Sequence, residues 1–156
     1  MSSLPESDIS RRTLMALALA SGTVLLAPAV FADGGIATGR WSDTAIKGYD
    51  VTAYFRQAQA RKGNKAHKII WKDATWHFSN ADAAELFEAN PDAYAPQFGG
   101  YCTRAMSIGK VVRADPRIWR MRSDRLYMFA SRKGQNLFDE DPDTMIAAAQ
   151  AFWETL

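Results

Sequence analysis

Apolar and polar residues alternate along residues 68–78, and this spacing predicts a β-hairpin. Residues 72–74 interrupt the alternation. We expect them to close a tight turn centred on Asp73, although the preferred Asn-Gly or Asp-Gly pair is absent. The alternation then places His77 on the face opposite Trp76 and Phe78, toward solvent or a cleft.

A second hairpin is predicted between Ile118 and Phe129. Trp119 and Met121 fall on one face of its first strand, and a polar turn at residues 123–125 leads into a second apolar strand. The chain therefore carries two antiparallel hairpins.

Helix signals follow each hairpin. Asn80 is a good N-cap, and the helix that it begins ends at Asn90, because the residue before a proline is disfavoured in a helix. Asp141 and Pro142 begin a C-terminal helix with a continuous apolar stripe. Antiparallel hairpins packed with two or three helices predict a small single-domain α+β fold. No long linker follows residue 40, so we expect neither a second domain nor an internal repeat.

The first 32 residues are typical of an export signal. Arg11 and Arg12 precede an apolar run over residues 14–30, and small residues before and at Ala32 fit a signal-peptidase site. The adjacent arginines resemble a twin-arginine signal, while an ordinary secretory signal and an uncleaved anchor are the alternatives. We therefore predict a periplasmic protein with a signal peptide at residues 1–32, a flexible leader at 33–40 and one domain at 41–156. No membrane span is expected after signal removal.

Composition narrows the possible functions. Of the 156 residues, 47% are hydrophobic and 23% are charged, which excludes intrinsic disorder. The formal net charge of +2 gives no electrostatic reason to expect nucleic-acid binding. The single cysteine, Cys102, excludes an internal disulfide and a zinc site made of several cysteines.

Three segments together resemble the YHS domain family, in particular its exported stand-alone members. They are residues 48–55 (Gly-Tyr-Asp-Val-Thr-Ala-Tyr-Phe), 76–79 (Trp-His-Phe-Ser) and 90–102 (Asn-Pro-Asp-Ala-Tyr-Ala-Pro-Gln-Phe-Gly-Gly-Tyr-Cys). The resemblance runs from about Trp41 to Trp153. It implies a compact α+β domain related to zinc-ribbon-like modules that are proposed to sense or carry heavy metals.

The chain departs from that family at a diagnostic position. Metal-handling modules of this type place a cysteine directly after the aromatic strand, whereas Ser79 follows Phe78 here. The resemblance therefore assigns only Cys102, in the Gly-Gly-Tyr-Cys segment, as a candidate ligand.

A soft-metal site is the leading hypothesis for the chemistry. The Cys102 thiolate could bind copper, as Cu(I), or zinc, and His77 or His67 could supply an imidazole. Met106 lies four residues after Cys102 and could add a thioether on the same helix face. The alternatives are a cysteine that is simply buried in the core and methionines that fill it. No organic cofactor is expected.

Three functions are thus predicted in order of preference. The first is an exported, non-catalytic YHS-type module that binds copper. The second is a structural or interaction domain of the cell envelope, with a protein partner or with a second copy bridged through Cys102. The third is a small thiol-dependent enzyme that uses Cys102, a histidine, and Asp115 or Asp50.

Overall fold

The computed structural model describes residues 35–156, and the predicted export signal lies outside these residues. Within them the chain forms two antiparallel hairpins and six α-helices, which confirms the α+β fold. Four of these helices were not predicted, so the helices outnumber the expected two or three. The elements are α1 (Val51–Gln57), β1 (Asn64–Trp71), β2 (Ala74–Phe78), α2 (Ala81–Ala89), α3 (Pro91–Tyr94), α4 (Thr103–Met106), β3 (Asp115–Arg122), β4 (Arg125–Phe129), α5 (Arg132–Glu140) and α6 (Pro142–Trp153).

The first hairpin closes through a two-residue turn. Trp71 pairs with Ala74, so the turn consists of Lys72 and Asp73, with φ of 49° and 57°. The predicted centre at Asp73 is therefore wrong by one register step. Two left-handed residues match the right-handed twist of the flanking strands, and this geometry is accessible without an Asn-Gly pair when the strands are well packed.

The predicted helix boundaries after each hairpin are confirmed. The Asn80 side chain accepts a hydrogen bond from the N–H of Ala83 at 2.9 Å, and Asn90 follows the last residue of α2. The Asp141 side chain accepts from the N–H of Thr144 at 3.2 Å at the start of α6. These caps satisfy backbone donors that have no partner within the helix.

The second half of the domain repeats the backbone of the first half. Asn64 pairs with Phe78 in the first hairpin, and Asp115 pairs with Phe129 in the second, so partners recur after 51 positions. Both hairpins also carry a register shift at the same place. We call residues 46–94 the first half and residues 98–145 the second half.

The repeat extends beyond the hairpins. Asn80 caps α2 and Ser131 caps α5, and both caps accept from the N–H three residues later. Left-handed backbone recurs in the turn before α1 and in the turn before α4, at residues 46–48 and 98–100. The expectation that no repeat exists is therefore wrong. The two halves share a backbone plan while most of their side chains differ.

Two apolar clusters form the core, one associated mainly with each half. Trp76, Phe78 and Phe87 belong to the first cluster, and Phe129 and Phe138 belong to the second. The β4 residues Leu126 and Met128 pack into the first cluster, and Tyr54 donates a hydrogen bond to the carbonyl of Pro116 at 2.8 Å. These contacts join the halves into one domain.

The described part of the predicted leader is packed against the domain. Ala37 is 5% exposed, its N–H donates to the carbonyl of Gly99 at 2.8 Å, and its carbonyl accepts from the N–H of Ile46 at 2.9 Å. A Cβ at Gly99 would overlap the carbonyl of Gly35, so glycine is needed for this approach. Ala37 thus makes backbone hydrogen bonds to both halves, through Ile46 and Gly99.

No helix in residues 35–156 has both the length and the apolar character that a membrane crossing needs.

Candidate functional site

The candidate site lies at His77, a buried polar residue of β2. It is 8% exposed, and its imidazole makes no hydrogen bond to any described residue. It lines an open cavity of about 400 Å³, which we call the His77 cavity. The other lining residues are three glycines, two hydroxyl residues and three lysines: Gly39, Gly48, Gly63, Ser42, Thr44, Lys47, Lys62 and Lys65.

Two glycines allow the loops to approach His77 closely. A Cβ at Gly63 would overlap the backbone carbonyl of His77, and a Cβ at Gly48 would lie 3.0 Å from the His77 Nδ1. Gly48 also has a φ of 74°, which glycine adopts without strain. The inner wall of the cavity is therefore formed by backbone and by the imidazole ring.

The lysines make the cavity strongly basic. Lys62 Nζ donates to the carbonyl of Lys47 at 2.5 Å and lies 4.8 Å from the centre of the Tyr49 ring, so its position is defined. Burial lowers the pKa of His77 below its ordinary value, and the charges of Lys65, Lys62 and Lys68 lower it further, opposed by Asp43. Burial and these charges together favour the neutral imidazole.

The second half has the same site, but it is filled. Met128 stands where His77 stands, and Gly100 and Arg113 correspond to Gly48 and Lys62. Only about 10 Å³ of space remains there, because Ala37, Thr38 and Ile46 line it. Arg113 Nε donates to the carbonyl of Thr38 at 2.6 Å. The packed leader thus occupies the volume that is open in the first half.

A second difference concerns the residue that caps the first helix of each half. Asp50 is fully buried and accepts four hydrogen bonds, from the backbone N–H and hydroxyl of Thr52 at 2.9 and 2.7 Å and from those of Ser79 at 2.8 and 2.7 Å. Cys102 takes the place of Asp50 in the second half. Among the described residues, its Sγ accepts a hydrogen bond from the N–H of Ala105 alone, at 3.4 Å. Ser79, the residue that departs from the metal-binding pattern, therefore belongs to a structural network here.

The structure brings together only part of the predicted metal site. Cys102 is 4% exposed and shares the second core cluster with Met106, which is fully buried. His77 lines a cavity whose lining residues all belong to residues 39–77, and His67 lies half-buried in β1 and is not among them. Residues 35–156 contain no group of three or more His, Cys, Asp or Glu side chains that could hold a metal ion.

The carboxylates considered for a thiol enzyme have other roles. Asp50 is occupied by its four hydrogen bonds. Asp115 accepts hydrogen bonds from Arg117, and these hold the pKa of Asp115 at about 2. Neither arrangement is that of a base that orients a catalytic histidine.

Sequence reasoning selected His77 but not the lysines around it. Lys62, Lys65 and Lys68 recur every third residue before and within β1, and this basic run was the available signal. Lys47 was harder to find because the turn over Ile46–Gly48 brings it to the cavity.

No protein-family model, no curated protein and no solved structure matches this chain, so the resemblance to YHS domains stays a prediction.

Proposed function

We propose that this protein is a non-catalytic binding module, similar to exported YHS domains, and that its ligand site is the His77 cavity. One observation carries the proposal. The same backbone site occurs twice, with about 400 Å³ open in the first half and about 10 Å³ left in the second. The second half shows that side chains can fill this site. A purely structural role therefore does not explain why the site in the first half is open.

The residue at the centre of the site supports a binding role. The imidazole of His77 lines the open cavity and makes no hydrogen bond to a described residue, so its ring nitrogens can bond to water or to a ligand. Met128, at the same place in the second half, is fully buried in the apolar core and needs no such partner. The ring nitrogens of His77 can therefore form hydrogen bonds with a ligand in the cavity.

The lining residues favour binding over catalysis. They include neither a carboxylate nor a cysteine, the groups that orient or work with histidine in acyl transfer and hydrolysis. If the predicted export signal operates, the module acts in the periplasm.

A nuclear magnetic resonance screen tests this proposal. The screen uses small charged and neutral compounds. We expect the compounds of one chemical class to shift the amide signals of Gly48, Gly63 and His77 in the labelled chain. The signals of Gly100 and Met128 serve as the matched control, because they occupy the filled site. Shifts confined to the second half, or no shift in the cavity with any compound, would overturn the proposal.

Copper binding through Cys102 is a second proposal. It is favoured by the placement of the Cys102 thiol and the Met106 thioether in one buried cluster, where soft sulfur ligands suit Cu(I). Titration of Cu(I) against a chelator of known affinity tests it. We expect one equivalent to bind and Cys102→Ser to abolish binding, while Met121→Leu retains it. Equal retention by the wild type and Cys102→Ser would contradict the proposal.

A further inference from the structure

We infer that the His77 cavity binds a small oxyanion, with phosphate or a phosphomonoester as the ligand class. This inference rests on the proposed function and specifies the ligand of the same site. The juxtaposition behind it is an imidazole that makes no hydrogen bond to a described residue and lines the same cavity as three lysines.

The charges on the cavity wall favour an anion. Lys47, Lys62 and Lys65 line the cavity, and no carboxylate from residues 35–156 does. Asp43, the acidic group whose charge acts on His77, accepts a hydrogen bond from the hydroxyl of Thr75 at 2.6 Å and is thus already engaged. Clustered cations that outnumber the nearby carboxylate raise the local concentration of negatively charged ligands.

The cavity is also prepared to hold the anion in one place. Lys62 is fixed by the Lys47 carbonyl and the Tyr49 ring, and one ammonium hydrogen bond leaves further donors for a ligand. His77 is fixed within β2, where it pairs with Lys68 of β1. Donors that are already ordered lose less conformational entropy on binding.

The hydroxyl residues extend the set of donors. Ser42 and Thr44 line the same cavity, and hydroxyl groups donate to phosphate oxygens. A volume of about 400 Å³ exceeds that of inorganic phosphate and lies within the range of small-molecule sites. The space left beside the anion would accommodate the organic part of a phosphomonoester.

The same charges disfavour a metal cation at His77. A divalent ion bound to the imidazole would experience the positive charges of Lys62, Lys65 and Lys68, which the carboxylate of Asp43 offsets only in part. Anion binding and metal binding at this residue are therefore alternatives with opposite electrostatic requirements.

Isothermal titration calorimetry of the full chain with inorganic phosphate and with a simple phosphomonoester tests the inference. We expect saturable binding of both, weaker binding of acetate, and none of chloride at the same ionic strength. Lys65→Gln and His77→Met should each weaken phosphate binding about tenfold, the size of one hydrogen bond to a charged group. His77→Met installs the residue that the second half uses at this place.

Lys133→Gln is the matched control. Lys133 lies exposed on α5 in the second half, and its substitution removes the same charge as Lys65→Gln. We expect it to change phosphate affinity less than twofold. An equal loss in Lys133→Gln and Lys65→Gln would overturn the inference, because binding would then follow net charge alone.

The outcomes separate this inference from the proposed function. If neutral compounds shift the cavity signals and phosphate does not bind, the oxyanion inference fails and the binding function stands. If no compound of any class reaches the cavity, both fail. Circular dichroism of each variant establishes that a loss of binding does not come from unfolding.

Discussion

The two halves of this domain share one backbone plan and use it differently. In the first half an open basic cavity lies beside His77, whereas in the second half Met128 and the packed segment around Ala37 fill the same space. A repeated fold therefore provides an internal reference for function. Where the copies differ in packing and charge, the filled copy shows how this backbone can be packed, and we infer that the open copy leaves space for a ligand.

The residues that cap the first helix of each half also differ between the halves. In the first half Asp50 is the centre of a buried polar network, and in the second half Cys102 takes that position inside the apolar core. The cysteine that attracts attention in the sequence thus corresponds to a structural residue. The open cavity lies in the other half, beside His77.

Removal of the buried carboxylate should have the largest effect. Asp50→Ala leaves the backbone N–H groups of Thr52 and Ser79 without their acceptor, and we expect a loss of about 4 kcal/mol in the free energy of unfolding. Cys102→Ala should cost about 1 kcal/mol, because it removes one weakly bonded sulfur from an apolar site. Denaturant unfolding measures both values, with the exposed cap variant Asp141→Ala as control at about 1 kcal/mol. Equal losses in Asp50→Ala and Cys102→Ala would contradict the distinction between the two caps.

The second largest difference in stability should be between side-chain truncations at the filled site and at the open site. Met128→Ala creates a cavity in a packed core, and we expect a cost of about 3 kcal/mol. His77→Ala should cost about 1 kcal/mol or less, because the ring already faces open space and makes no hydrogen bond to a described residue. Thermal and denaturant unfolding provide the comparison. A larger loss in His77→Ala than in Met128→Ala would show that His77 is a structural residue.

The thiol of Cys102 should react slowly in the folded protein. It is 4% exposed and lies among the side chains of the second cluster. We expect a thiol reagent to label it at least about 100-fold more slowly than in the denatured chain, because labelling requires an opening of the core. Met106→Ala is a useful companion, since loosening the cluster should accelerate labelling. Rapid labelling of the native wild type would instead indicate that the thiol is open to solvent.

The smallest effect concerns pH. Burial and the neighbouring lysines lower the pKa of His77 in the folded state, so between that value and about 6.5 the unfolded chain binds more protons than the folded one. The free energy of unfolding should therefore fall as pH is lowered below about 6.5, and the contribution of His77 should disappear in His77→Met. Unfolding curves of the wild type and of His77→Met, recorded between about pH 7.5 and about pH 5, measure the difference. A decline of the same size in both would remove His77 as its source.

The local features of the fold were predictable because local chemistry determines them. Asn80 and Asp141 cap helices through contacts with residues three positions away, and alternation alone identified both hairpins. The predicted position of the turn at Lys72 and Asp73 was wrong by one residue. Its left-handed backbone depends on strand packing, and the turn contains no glycine that would indicate it in the sequence. Such geometry follows from tertiary structure.

The repeat and the cavity were not predictable for a related reason. The halves share hairpin register and caps, yet His77 corresponds to Met128 and Asp50 to Cys102, so few side chains reveal the repetition. The cavity unites Lys47 from a turn with Lys65 from β1. Only the folded arrangement brings them to the same cavity.

The central claim is that His77 faces an anion site, and the titration of its imidazole by nuclear magnetic resonance tests it most directly. Bound phosphate would place negative charge beside the ring and favour the imidazolium form, so we predict that phosphate raises the pKa of His77 relative to chloride at equal ionic strength. The resonances of His67, which does not line the cavity, should not respond to phosphate. Identical His77 titrations in the two salts, or equal responses of both histidines to phosphate, would contradict the account.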